Sequence, residues 1–356
     1  MEASEYIAYL LSEAGKSSCV RSGRVLQISH DEVNRFLSDS DFDGHDLFER
    51  SKTALQLCGG VLSVDDTVID KPYSKAEVAE LVGFFWSGLH HKSVKGINLI
   101  LLNYTDPSGV SLPVNWRLYR HSDHKTKNDY FQDMVNQVLD WGLRPAWVTA
   151  DSWYSLVENL KFLRNKEVGF LMGMENNRLI STVPHQYEQV GKAAIGNEGL
   201  YTHLKGFDFV KVFLTVDTEG HERHYALYGN QEQPTASINK MIFKELKQQH
   251  WHIEQAFRAV KQLAHAGHFF VRRANAVKSH LHLCTLRFTK TNYVGERSNY
   301  SIHLQTARPD LFTSSTKFYS TICVTPSILE AITQTKWQDC RKMIITNFLS
   351  FINPSK

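Results

Sequence analysis

Four carboxylates in this sequence are spaced so that they can act together. Asp65 and Asp66 follow the apolar run Val61-Leu62-Ser63-Val64, and Asp151 follows Ala146-Trp147-Val148-Thr149-Ala150. The C-terminal ends of strands in an α/β sheet are where ligand groups collect, so neighbouring strands here would make the acids converge. Glu254 lies on a segment in which Ile253, Phe257, Val260 and Ala264 recur at helical spacing and turn an apolar stripe toward a core. Hard oxygen donors without a cysteine among them select Mg2+ or Mn2+ over zinc. Two such ions about 3.5–4 Å apart activate a nucleophile and stabilise a leaving oxygen in phosphoryl transfer.

Each acid taken singly also has a plainer reading. An Asp at a strand end commonly caps a helix or turns the chain, and Glu254 with Arg258 makes an ordinary i,i+4 surface pair. What distinguishes Glu254 is its company: steps of four and seven residues put His250, Arg258 and Lys261 on one face with it. The histidine groups His90-His91, His121 with His124, His250 with His252, and His280 with His282 invite a metal reading. Adjacent or i,i+2 residues on a helix point apart, however, and no Cys joins them. No GxxxxGK[ST] phosphate loop and no GxSxG elbow occurs, so neither a nucleotide cofactor nor a serine hydrolase is supported.

The elements that must hold these acids follow from patterning. Residues 1–58 read as helical, with Ser29 and Asp31 as candidate caps and a helix from His45 to Leu57 ending at Gly59-Gly60. A short strand over Val61–Val64 is expected to end at the aspartates and to be followed by an irregular segment. Gly96–Tyr104 and Val110–Tyr119 flank the turn signal Asp106-Pro107-Ser108-Gly109 and predict a hairpin. A helix over Thr126–Trp141, a strand into Asp151, a helix over Tyr154–Asn165 and a strand over Val168–Met172 complete a β-α-β unit. From about Glu175 the pattern turns to short β pieces, including Phe209–Val216 and His224–Tyr228. Helix returns over Ala236–Leu263.

This order of elements resembles the ribonuclease-H-like catalytic domain of bacterial insertion-sequence transposases of the DDE class, in the branch with a β-strand insertion before the Glu. Val64-Asp65-Asp66-Thr67 is similar to the family's Asp-x-Thr, and Val148 to Tyr154 to its second-Asp motif. Trp251 to Lys261 is similar to its signature helix, with Lys seven residues after Glu. Where that signature usually carries Tyr and Arg, seven and four residues before the Glu, this chain has Lys247 and His250.

The resemblance implies an α/β fold: a ribonuclease-H-like mixed sheet flanked by helices, with a β-rich insertion before the last catalytic helix. The implied domains are a helical region 1–58, the candidate for binding DNA ends or alternatively for packing on the catalytic core or a second protomer, a catalytic domain over 59–175 and 234–298, a β-rich insertion over 176–233, and a helical region 299–356. It implies that Asp65, Asp151 and Glu254 hold Mg2+, for which Mn2+ substitutes, and that water and then a freed DNA 3′-hydroxyl are the nucleophiles. Asp66 is a supporting neighbour or, with a one-residue shift in register, the ligand itself. His250, Arg258, Lys261, Lys247, Arg272 and Arg273 are the implied DNA contacts. The partners are then element terminal repeats and target DNA, bound by a homodimer. The remaining alternatives are a ribonuclease-H-like nuclease without strand transfer, and an inactive transposase-derived DNA-binding protein.

Charge sharpens this reading once it is divided along the chain. The 356 residues carry 40 Lys+Arg against 37 Asp+Glu, a balance that by itself demands no polyanionic partner. Residues 1–58 hold six basic and ten acidic side chains, whereas 240–300 hold eleven Lys/Arg, three Asp/Glu and six of the 17 His. In the second stretch Arg272, Arg273, Lys278, Arg287 and Lys290 interleave with Phe269, Phe270 and Tyr293, a pattern that suits a nucleic-acid backbone. Five widely spaced Cys without a CxxC pair argue against a disulfide framework. With an acidic start in place of a secretory signal and no bilayer-length apolar run, the expected location is cytoplasmic, at the nucleoid when bound to DNA.

Overall fold

The computed structural model describes residues 1–298 except 13–16, 76–78, 89 and 265, and the helical region expected over 299–356 lies outside them. In chain order the elements begin with α1 (Ala3–Ser12), α2 (Cys19–Leu26), α3 (His30–Asp39) and α4 (Gly44–Ser51). Next come β1 (Val61–Asp70), β2 (Gly83–Ser87), β3 (Lys92–Thr105), β4 (Ser111–Tyr119), α5 (Lys127–Asp140) and β5 (Trp147–Ala150). After α6 (Val157–Asn165) and β6 (Gly169–Met174) follow β7 (Leu179–Val183), β8 (Gln186–Gln189), β9 (Leu200–Leu204), β10 (Phe209–Val216) and β11 (Glu222–Tyr228). The last two are α7 (Lys240–Arg258) and α8 (Ala274–Ser298). No described helix is long and apolar enough to cross a membrane. The chain divides into two compact units, one of residues 1–47, 68–98 and 256 onward, the other of 48–67 and 99–255.

The second unit is built on a mixed sheet in the order β4-β3-β1-β5-β6-β11-β10-β9-β7-β8. β1, β5 and β6 run parallel, while β6, β11, β10 and β9 pair antiparallel. The segment β4-β3-β1-β5-β6 is the ribonuclease-H-like arrangement expected from the sequence. The β-rich stretch before α7 continues this sheet through the β6–β11 pairing, because Phe170, Met172 and Met174 meet Tyr228, Ala226 and His224 in register.

Alternation along the strands sends side chains to two different layers. Leu62, Val64, Val148, Ala150, Phe170 and Met172 pack with Phe131, Met134, Val135 and Val138 of α5 and with Leu160 and Leu163 of α6. The opposite face presents Val61, Leu171, Phe213 and Leu227 to Phe243 and Leu246 of α7. Phe213 and Phe243 stack with centroids 4.5 Å apart, which fixes the start of α7 on the sheet. Burying each such Leu or Phe contributes about 1.5–3 kcal/mol. Helix α5 starts where its sequence says it should: Thr126 accepts from the Asp129 backbone while the Asp129 carboxylate accepts from the Thr126 backbone, a capping box.

In the first unit, α3 begins at the Ser29 cap, whose hydroxyl accepts from the Asp31 N–H. β2 pairs antiparallel with the first part of β3, from Gly83 opposite Gly96 to Ser87 opposite Lys92. Gly96 permits close backbone approach, since a Cβ there would stand 2.5 Å from the Ile69 carbonyl oxygen.

Three local expectations differ from the structure. β1 does not stop at the aspartates but runs on to Asp70, because β3 continues alongside and Lys71 N–H still donates to the Lys95 carbonyl. The helix expected to reach Leu57 ends at Ser51, whose hydroxyl donates to the Pro113 carbonyl, and only a short 3-10 turn follows. Regular helix after α7 stops at Arg258 and a π-turn occupies Ala259–Leu263, so Lys261 does not continue at the α-helical azimuth.

Candidate active site

Asp65 and Asp66 point to opposite faces of β1, and their surroundings differ accordingly. Asp66 faces the α5 layer, where its carboxylate pairs with Lys127 Nζ at 2.7 Å and accepts from the Tyr154 hydroxyl at 3.2 Å. Both members of the ion pair are largely covered, with side-chain exposures of 15% for Lys127 and 13% for Asp66. Tyr154 is buried next to this carboxylate, which pushes its phenol well above the usual range and keeps it a proton donor.

Asp65 lies on the face that carries α7. Burial first, then the charges of Asp151, Asp66 and Glu254, push its carboxyl well above the usual carboxylate range, while the Asp66 N–H donated to Asp65 Oδ1 at 2.7 Å opposes this. Asp151, at the end of β5, is pushed up to about 6 by burial and then by Asp66, against the opposing pull of the Trp153 N–H and Lys127. That N–H donates to Asp151 Oδ1 at 3.0 Å, so Asp151 also caps the short turn Ser152–Tyr154, as the plainer reading of a strand-end Asp anticipates. The chain after Asp151 passes so close to β6 that a Cβ on Gly173 would stand 2.7 Å from Ser152 N. Glu254 projects from α7 into solvent.

A chain of hydrogen bonds fixes α7 one layer behind these acids. Ser63 and Thr149 are partners in the parallel β1–β5 register, with Ser63 Oγ 2.9 Å from Thr149 Oγ1. Thr149 Oγ1 in turn lies 3.0 Å from His250 Nδ1. Ser63 is two residues before Asp65, Thr149 two before Asp151, and His250 four before Glu254, so this polar link repeats the site's geometry one step down each element. Burial lowers the His250 pKa to about 4, leaving a neutral imidazole at neutral pH. His250, expected at a DNA phosphate, is therefore placed against the sheet. His252 Nδ1 similarly meets Thr105 Oγ1 at 3.1 Å.

The remaining expected DNA contacts fall in both units. Lys247, in the second, is exposed, with its Nζ 3.3 Å from Thr215 Oγ1 and 5.3 Å from the Tyr225 ring centroid. Arg258, Lys261, Arg272 and Arg273 belong to the first unit; Arg258, Arg272 and Arg273 are exposed and Lys261 is half-buried. Lys127, Tyr154, Ser63 and Thr149 were not singled out in the sequence. The signal for the last two is a hydroxyl at the next-to-last position of each otherwise apolar run. Lys127 and Tyr154 carried none, because their distance from Asp66 is set by packing.

Among the described residues no group of three or more His, Cys, Asp or Glu forms a ready metal cage. The donor chemistry nevertheless fits a hard divalent ion: carboxylates from β1, β5 and α7, two of them raised by burial and by repulsion that a cation would relieve.

A family model described as DDE superfamily endonuclease matches residues 3–194 of the chain. Comparison with curated proteins gives no match. Among solved structures, the chain is similar to a cryo-EM structure of a piggyBac transposase synaptic complex with hairpin DNA. The two are 11% identical, the match covers 98% of this chain and 76% of the other, and the TM-score is 0.49. It is also similar to a Drosophila P element transposase strand transfer complex, at 12% identity, 99% and 80% coverage and a TM-score of 0.25.

Proposed function

Because the chain belongs to the DDE superfamily of endonucleases, a family that works with divalent metal, we propose that it is a DNA transposase. In this reading it cleaves DNA at the ends of a mobile element and joins the freed ends to target DNA. Asp65, Asp151 and Glu254 are the acids that hold Mg2+, with Mn2+ able to replace it. Bound there, the metal supplies charge stabilisation at the scissile phosphate and lowers the pKa of water. The observation that carries this assignment is geometric: Val64 and Ala150 are partners in the parallel β1–β5 register, so Asp65 and Asp151 follow on adjacent strands, on the face where Ser63 and Thr149 meet His250, one helical turn before Glu254.

The chain's own residues divide the remaining work. Asp66, ion-paired to Lys127 and accepting a hydrogen bond from Tyr154, supports the strand beside the site. The Ser63–Thr149–His250 link holds α7 against the strands that carry Asp65 and Asp151, one helical turn before Glu254. Lys247, Arg258, Lys261, Arg272 and Arg273 contact DNA phosphates, which orient the substrate without reading sequence. The helical region 1–58 recognises element ends, and two copies act on paired ends in the cytoplasm, at the nucleoid.

Glu254→Ala tests the proposal. It is expected to abolish Mg2+-dependent cleavage of element-end DNA while leaving binding of that DNA within about twofold of wild type, because metal site and phosphate contacts are separable. Cleavage at the wild-type rate would refute the assignment. Incubating the wild-type protein with a pre-cut end and a target plasmid then separates strand transfer from plain nuclease action.

A further inference from the structure

The first unit contains a cavity of about 710 Å3, of whose described lining the catalytic proposal uses Arg272 alone. Its walls come from the stretch after β1, including Lys71, Tyr73 and Lys75, and from the extended segment Gly267–Arg272 before α8. Its volume is within the range of about 300–1,000 Å3 typical of sites that enclose small molecules.

The extended segment sorts its side chains by alternation. His268, Phe270 and Arg272 are exposed, whereas Phe269 is buried under Lys71, whose Nζ lies 3.4 Å from the ring centroid. Lys71 Nζ also donates to the Gly267 and Phe269 carbonyls at 2.7 and 3.0 Å, and the Ser17 N–H donates to the His268 carbonyl. The wall is thus tied down through Phe269 and the Gly267, His268 and Phe269 carbonyls, while Phe270 and Arg272 line the cavity with exposed side chains.

Two large aromatic rings are left in solvent at this cavity, Tyr73 at 98% exposure and Phe270 at 61%. Lys75 and Arg272 line it with them. Among the described residues the one acid in the lining, Asp70, already meets His90 Nε2 at 3.0 Å. Exposed ring faces flanked by cations in a concave site match the chemistry of an unpaired nucleotide: the base stacks on a ring and the phosphate meets the cation. A duplex keeps its base faces stacked and offers none to such a cavity.

We propose that this cavity binds a single-stranded segment of DNA, with bases stacking on Tyr73 and Phe270 and phosphates held by Lys75 and Arg272. The choice of DNA as the nucleic acid rests on the endonuclease reading above; the stacking site rests on the cavity.

The test uses the full chain without divalent metal and measures binding of a fluorescent 12-nucleotide oligo(dT) and of a duplex of equal length by anisotropy. The Tyr73→Ala/Phe270→Ala double variant is expected to lose roughly 5- to 100-fold in affinity for the single strand and less than about twofold for the duplex. Phe270→Tyr should keep single-strand binding, and Arg272→Ala should reduce the salt slope by about 0.7. Unchanged single-strand affinity in a folded double variant overturns the proposal, and tighter binding of oligo(U) than of oligo(dT) overturns the choice of DNA. Mg2+-dependent plasmid nicking is measured on the same wild-type preparation. Nicking without an effect of the double variant refutes the cavity alone, and single-strand binding lost in that variant without nicking refutes the endonuclease reading alone.

Discussion

Thr149 Oγ1 lies 3.0 Å from His250 Nδ1, and the same oxygen lies 2.9 Å from Ser63 Oγ on the neighbouring strand. One hydroxyl therefore joins the two strands that carry Asp65 and Asp151 to the helix that carries Glu254. Thr149→Val keeps the shape but leaves a buried hydroxyl and an imidazole nitrogen without this partner, at an expected cost of about 1–3 kcal/mol in unfolding free energy. Cleavage should fall more at limiting than at saturating Mg2+, and Thr149→Ser should restore both. Denaturant unfolding and a Mg2+ titration check this; equal loss at every Mg2+ concentration would argue against a positioning role.

Exchange of the adjacent aspartates should have unequal effects. Asp65→Asn removes one of the proposed metal-holding carboxylates and is expected to reduce cleavage by at least about 1,000-fold. Asp66→Asn is expected to leave cleavage within about tenfold, yet to cost about 1–3 kcal/mol of stability because Lys127 loses its ion-pair partner in a largely covered position. Single-turnover cleavage and chemical denaturation of the two variants separate the roles. A reversed pattern would exchange the assignments.

The raised carboxyls set a pH dependence with a definite sign. Asp151 sits at about 6, raised by burial and then by Asp66, and Asp65 is raised as well. A carboxyl whose folded pKa exceeds its unfolded one stabilises the fold fully below the unfolded value and loses that contribution as pH rises through the folded value. Metal-free protein should accordingly lose stability between about pH 4 and pH 6. Asp151→Asn, which preserves the cap to the Trp153 N–H, should raise Tm at pH 8 without metal and give no gain at pH 4. Circular dichroism melts at the two pH values provide the comparison, and a lower Tm for the variant at pH 8 would contradict it.

Gly173 controls the position of Asp151 from the next strand. An added Cβ would stand 2.7 Å from Ser152 N and 3.1 Å from the Asp151 carbonyl carbon, so the backbone after β5 has to move. Gly173→Ala is expected to reduce cleavage about 10- to 100-fold, the scale of a displacement near 1 Å in a catalytic group, with DNA binding preserved. Wild-type cleavage in a folded variant would show that Asp151 tolerates the shift.

Local chemistry made part of this architecture readable. The Thr126 cap, the strand Phe209–Val216 and the first part of the apolar stripe of α7, Ile253 and Phe257, depend on residues near one another in sequence, and they appear in the structure where periodicity and capping placed them. The alternation of Asp65 and Asp66 was equally legible, since adjacent strand residues point to opposite faces. Which face carries α7 and which carries Lys127 was not, because both partners are distant along the chain and reach β1 only through packing of the two helical layers. The extension of β1 to Asp70 needed the neighbouring β3, and the neutral, sheet-facing His250 needed the Thr149 hydroxyl and its burial. Sequence alone determined the kinds of donor and the elements that bear them. Tertiary structure decided which aspartate is paired off and which is left among its fellow acids, because charge compensation and desolvation depend on what packs across the sheet.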